Sequence, residues 1–179
     1  MDPHELYGRY RELQAYVGWS DDDAGRVAVA FRLLEPHFSA LVDDFYAEMD
    51  RHPNARRAIS EGRDQVVRLK KTLIAWLGDL FSGRYDRHYV HTRWKVGRKH
   101  VDVGLEQAYV SAALSRLRKG LIRALVLSWN DERDALFETV ESLNMLLDLD
   151  LAIIQDAYED EYKSRVRKLG KSTTDQPAR

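Results

Sequence analysis

Apolar residues recur three and four positions apart along most of this chain, and runs alternating apolar with polar are scarce. That period predicts helices throughout. The first covers about residues 3–17. "GWSDDDAG" breaks it, with Ser20 or Asp21 placed as the next N-cap and acids in the first turn to favour the helix dipole. The second runs to about Leu34. Pro36 restarts the chain at a favoured first helical position, and the helix that follows carries Phe38, Leu41, Val42, Phe45, Tyr46 and Met49 on one broad face. Pro53 ends it, because the residue before a proline is pushed out of helical geometry. A helix over about 62–81 shows the stripe Val66, Leu69, Leu73, Trp76, Leu77 and Leu80. Gly83 is placed as its C-terminal cap. A further helix covers 87–103, Gly104 bends the chain, and two long helices follow over about 106–128 and 131–169, with Asn130 or Asp131 as the cap between them.

Composition narrows this little. The 179 residues suit one domain over 1–169, followed at 170–179 by a polar tail or the start of a linker. Apolar residues make up 44% and charged residues 32%, enough core for independent folding. A formal charge of -1 with mixed signs argues against nucleic acid as a partner. The absence of cysteine excludes disulfides, thiolate metal sites and a cysteine nucleophile. The N-terminus lacks the apolar run of a signal peptide, and no apolar stretch is long enough to span a bilayer, so a cytoplasmic protein is expected.

Several candidate motifs carry little. "GKST" at 170–173 lacks the earlier glycine of a phosphate loop, since Arg165 stands there. His88 and His91 are three apart but have no evident third ligand and read as surface residues. His100 carries more. Val96, four before it, and Val103, three after it, put the imidazole on an apolar face. A neutral buried imidazole is either a core histidine or an axial haem ligand, and spacing alone leaves both open. Tyr46, flanked by Val42, Met49 and Phe45, is expected to face inward. Its hydroxyl then needs a partner, either a backbone carbonyl or a ligand.

The elements "DDFYAEM", "RLKKTL", "FSGRYD", "RWKVGRKHVDVGL" and "AYV", in that order, resemble the sensor globin domain of the globin-coupled sensors, over roughly residues 19–158. The resemblance implies an all-α globin fold with an extra N-terminal helix. It implies haem b held by His100 as proximal iron ligand, with Tyr46 as the distal donor to oxygen. It places Leu69 and Thr72 on the distal helix facing the ligand, and Phe45, Leu73, Trp76 and Val96 around the cofactor. A phenolic donor would favour oxygen over carbon monoxide, with nitric oxide and cyanide as further ligands. The basic cluster Arg93, Lys95, Arg98 and Lys99 is a candidate source of contacts to the haem propionates.

The resemblance also implies a homodimer through the last two helices. The final one carries Leu136, Val140, Leu143, Leu147 and Ile154, and is widened by Leu146, Leu149, Leu151 and Ile153 beyond one face. One face would line the pocket and the other would pack on a partner. The chain itself is expected not to be an enzyme. It has no room for an output module after Tyr158, and is expected to be part of a larger sensor whose output is a histidine kinase or diguanylate cyclase. Two rival functions stand beside this: a haem-free globin-like regulatory module, and a free-standing globin with nitric oxide dioxygenase activity.

Overall fold

In a computed structural model, which describes residues 2–59 and 61–174 with side chains as far as Arg167, Asp2 opens α1 (Pro3–Val17) by accepting from the His4 amide, and Gly18 closes it in the left-handed region. Ser20 is the N-cap of α2 (Asp21–Leu34), in a reciprocal box with Asp23. The sequence thus offered the right cap among its two candidates. Pro36 sits in a 3-10 turn (Glu35–His37) rather than at the start of α3 (Phe38–Met49). A one-turn α4 (Pro53–Arg56), which the apolar pattern did not show, precedes α5 (Gly62–Leu80). Asp86 caps α6 (Arg87–Asp102), and Gly104, at φ 68°, turns the chain out of it as expected. The long pair is α7 (Gln107–Ser128) and α8 (Arg133–Thr174).

Thus α8 passes Leu169 and carries the "GKST" residues as helix rather than loop. Residues 175–179 of the expected tail lie outside the described residues. No strand occurs among the described residues, and no described helix is long and apolar enough to cross a membrane.

Helices α1, α6 and α8 pack on one another, α2 packs on α7 and α8, and α3 packs on α5 and α7. One hydrophobic core joins them, running from Leu6 and Tyr10 in α1 to Leu149 and Ile153 in α8. The spare apolar width of α8 is used inside this chain: Leu143, Leu146, Leu147, Leu149, Ile153 and Ile154 are all buried.

Two contacts set how closely α8 is held. Asp23 is buried and accepts from Ser142 Oγ at 2.7 Å and from the Ser20 amide at 2.8 Å. Burial pushes its carboxyl up, but the hydrogen bonds from Ser142 and Ser20 and the charge of Arg26 leave it below the usual aspartate value. A depressed carboxyl stabilises the fold above the unfolded pKa and loses that contribution as pH falls through the folded one. Stability should therefore fall below about pH 4, and that acid limb should flatten in Asp23→Asn. An identical limb in both proteins would remove Asp23 from it.

The second contact is at Gly97. A Cβ there would lie 2.5 Å from the Ile154 carbonyl oxygen and 2.8 Å from Ala157 Cβ, so the α6 backbone rests on α8. Gly97→Ala gains about 1 kcal/mol of helix propensity. It must also push two backbones apart, and overpacking costs about 1–3 kcal/mol. A net loss in a denaturant titration is expected; a more stable variant would contradict the close approach.

Candidate functional site

The last turn of α6 presents His100. Its Nδ1 is buried and unpartnered, and neither ring nitrogen has a hydrogen-bond partner among the described residues. Burial lowers its pKa from the ordinary histidine value, so the ring is neutral at pH 7 and one nitrogen keeps a free lone pair. A core histidine normally donates to a carbonyl or carboxylate; this one does not.

From α3, the ring of Tyr46 is buried at 8% exposure, with Phe45 edge-on at 5.1 Å. Its hydroxyl makes no hydrogen bond to a described residue and, unlike His100 Nδ1, is not fully shut off from solvent. Burial pushes its pKa up to about 12, which keeps the phenol protonated and able to donate. An unmet buried polar group costs about 1–3 kcal/mol, so the buried, unpartnered Nδ1 of His100 calls for an explanation.

The other residues singled out in the sequence divide. Phe45, Leu69, Leu73 and Val96 are partly buried and pack against the same core that contains Tyr46 and Trp76. Trp76 is buried with its Nε1 unpartnered, and the Arg93 guanidinium lies 4.8 Å from its ring. The structure does not bring Thr72 to this group: it is exposed, and its hydroxyl donates to the Arg68 carbonyl at 3.1 Å.

Arg93 is a correction. The basic run makes it a candidate for propionate contact, but it is 1% exposed and its Nε lies 2.9 Å from Asp150 Oδ2. Arg98 is committed to Glu161 at 3.0 Å, whereas Lys95 and Lys99 are exposed. Asp150 was missed altogether. A signal existed, since it stands three and four residues from Leu146, Leu147, Ile153 and Ile154, on their face of the helix. Of the two histidines read as surface residues, His88 is exposed and His91 stacks on Trp94 at 6.1 Å.

The described residues thus form an all-helical fold with His100 at the end of α6 and Tyr46 on α3, and comparison with known proteins places that fold among globin domains. A family model described as Protoglobin matches residues 6–164, and the chain belongs to that family. The chain is similar to the globin domain of the Geobacter sulfurreducens globin-coupled sensor, at 30% identity and TM-score 0.76, over 83% of this chain and 96% of that one. The globin domain of DosC from E. coli, in its ferric form, shares the fold at 18% identity and TM-score 0.67, over 83% of this chain and 98% of that one. The heme-based aerotactic transducer HemAT of Halobacterium salinarum is 28% identical over 93% of this chain, which spans only 37% of that protein.

Proposed function

We propose that this chain is a haem-binding, oxygen-sensing globin domain, with His100 as the iron ligand. The single observation that carries this reading is the neutral, unpartnered imidazole of His100 in a protoglobin fold whose α3 also presents the unpartnered hydroxyl of Tyr46. The donor set fits haem: one imidazole nitrogen with a free lone pair, one protonated phenol, and apolar walls from Phe45, Leu69, Leu73, Trp76 and Val96. The absence of cysteine is compatible with the non-covalent b-type cofactor. When bound, haem with one histidine ligand supplies a sixth position open to a diatomic gas. The apolar side chains exclude water, and Tyr46 supplies a donor.

Oxygen is the proposed physiological ligand, with carbon monoxide, nitric oxide and cyanide as further ligands of the same site. The named relatives are a heme-based transducer and a globin-coupled sensor, which supports a sensor role. The output would then be a module outside this sequence, a histidine kinase or diguanylate cyclase, working inside the cell. Val126 and Leu127 at the end of α7, and Phe137 near the start of α8, are exposed apolar residues at the same end of the helix pair. They support dimerisation through these two helices better than Leu143, Leu146, Leu147 and Leu149, which are buried in the monomer.

The test is titration of the folded chain with haemin, followed by absorption spectra of the ferrous, oxygen-exposed and carbon-monoxide-exposed forms. A Soret band that shifts with each gas is expected. A folded chain that takes up no haem would overturn the reading and leave a regulatory module of the same fold. Catalytic consumption of nitric oxide with a reductant would instead favour the dioxygenase.

Tyr46→Phe gives a finer check. A hydrogen bond to a charged group is worth about 1.5–3 kcal/mol, or about one to two decades of affinity. Oxygen affinity should fall by that much while carbon monoxide affinity changes far less. Equal oxygen affinity in variant and parent would remove Tyr46 from the site.

A further inference from the structure

The helix that carries His100 is fastened to α8 at successive turns. Tyr89 Oη donates to Asp150 Oδ1. One turn on, Arg93 Nε lies 2.9 Å from Asp150 Oδ2. The next turn brings the bare Gly97 backbone against Ile154 and Ala157, and Arg98 pairs with Glu161. Beyond the helix end, Tyr158 Oη donates to the Leu105 carbonyl at 2.8 Å. Residue numbers rise together from 89 to 98 and from 150 to 161, so the two helices run side by side in the same sense.

Among these ties the Arg93–Asp150 pair is of a different kind. Both side chains are essentially buried, at 1% and 0% exposure. The guanidinium also lies 4.5 Å from the centre of the Tyr89 ring and 4.8 Å from that of Trp76, and its NH2 group donates to the Trp76 carbonyl at 3.0 Å. One cation thus joins α5, α6 and α8. Yet the pair is not fully closed. Arg93 Nε and Asp150 Oδ2 are within ion-pair distance but lack hydrogen-bond alignment, and Tyr10 Oη of α1 is also buried and unpartnered. Replacing a buried ion pair with packed apolar groups is often neutral or stabilising, so stability alone gives no reason to keep it. A fastening between the helix that carries His100 and the long last helix gives one.

We propose that Arg93 and Asp150 are positioning residues that fasten α6 to α8, so that a displacement of His100 on ligand binding is delivered to the far end of α8. This rests on the reading of His100 as the haem ligand. The pair touches neither cofactor nor gas; it sets which helix moves when His100 does. A ligand shifts such an equilibrium only by its differential affinity for the two arrangements, so removing the pair should uncouple α8 while leaving haem and gas binding in place.

The chain has no native cysteine, so nitroxide labels at Val29→Cys on α2 and Val166→Cys on α8, both exposed, report one distance. Labelled protein diluted in unlabelled protein, haem-loaded and reduced, is measured with and without carbon monoxide. A shift in the label distance is expected in the otherwise unaltered chain. In Asp150→Asn the Soret response to carbon monoxide should persist and the distance shift should fall at least to half. Because that variant leaves a buried cation unpaired, Arg93→Met combined with Asp150→Leu is the second test; it keeps the apolar volume and should also lose the shift.

A parent chain that takes up no haem fails the haem reading, and this proposal with it. A parent that takes up haem and binds carbon monoxide, but whose labels do not move, fails the fastening alone. So does a full shift in the folded double variant.

Discussion

His100→Ala is expected to abolish iron coordination while leaving the fold intact. The expectation follows from what the imidazole does not do. It makes no hydrogen bond to a described residue, so its removal breaks none, and it deletes a buried polar atom that was already unsatisfied. The change in folding stability should therefore be small, with loss of side-chain packing as its only clear cost. Haem binding should respond in the opposite way. Among the described residues no cluster of three or more His, Asp and Glu offers a replacement metal site.

Removing a partner that merely orients a metal ligand costs about 10–100-fold in affinity, and removing the ligand should cost more. The check is paired: a denaturant titration of the apo chains, and haemin titration with absorption spectra. Free imidazole should restore a histidine-like spectrum in the variant if the vacated space remains. An unchanged ferrous spectrum in a folded His100→Ala chain would show that another residue holds the iron.

The second large effect is on stability. Asp150→Ala is expected to destabilise the chain by about 3–5 kcal/mol, because it leaves the Arg93 guanidinium charged and buried without its counterion. Native domains have only about 5–15 kcal/mol in all, so this variant should unfold at a much lower denaturant concentration. The attraction of Asp150 is what keeps Arg93 above the ordinary arginine pKa despite burial, which by itself lowers it. Burial pushes the Asp150 carboxyl above the usual aspartate value, and the Arg93 charge and Tyr89 hydroxyl offset only part of that rise. Replacing both partners, Arg93→Met with Asp150→Leu, should return most of the stability lost in the single variant. A single-variant loss below about 1 kcal/mol, the range of exposed pairs, would mean that water reaches the guanidinium.

Much of the fold was readable because its helices announce themselves locally. Apolar spacing located seven of the eight α-helices found among the described residues. Ser20 and Gly104 marked boundaries through capping chemistry and left-handed geometry, which neighbouring residues decide. Departures were also local: Pro36 took a tighter turn before α3, and the four-residue α4 was too short to show a period. Spacing put Tyr46 and His100 on apolar faces; Tyr46 is buried, whereas His100 is partly buried with its Nδ1 covered, and Val103 beside it is exposed.

What the sequence alone determined is the all-helical plan, the first helix over residues 3–17, and two polar side chains on apolar helix faces. All of these follow from the helical period, which says which residues share a face. It does not say what covers that face. Arg93 looked like one more cation in a basic run until Asp150, far along the chain, came to lie 2.9 Å from it. Thr72 and Leu73 are neighbours in sequence, yet one is exposed and the other packs on the core. The broad apolar surface of α8 suggested a partner molecule, but its leucines are covered by helices of the same chain. Charge burial, pairing and coverage depend on which distant segments arrive, and only tertiary structure decides that.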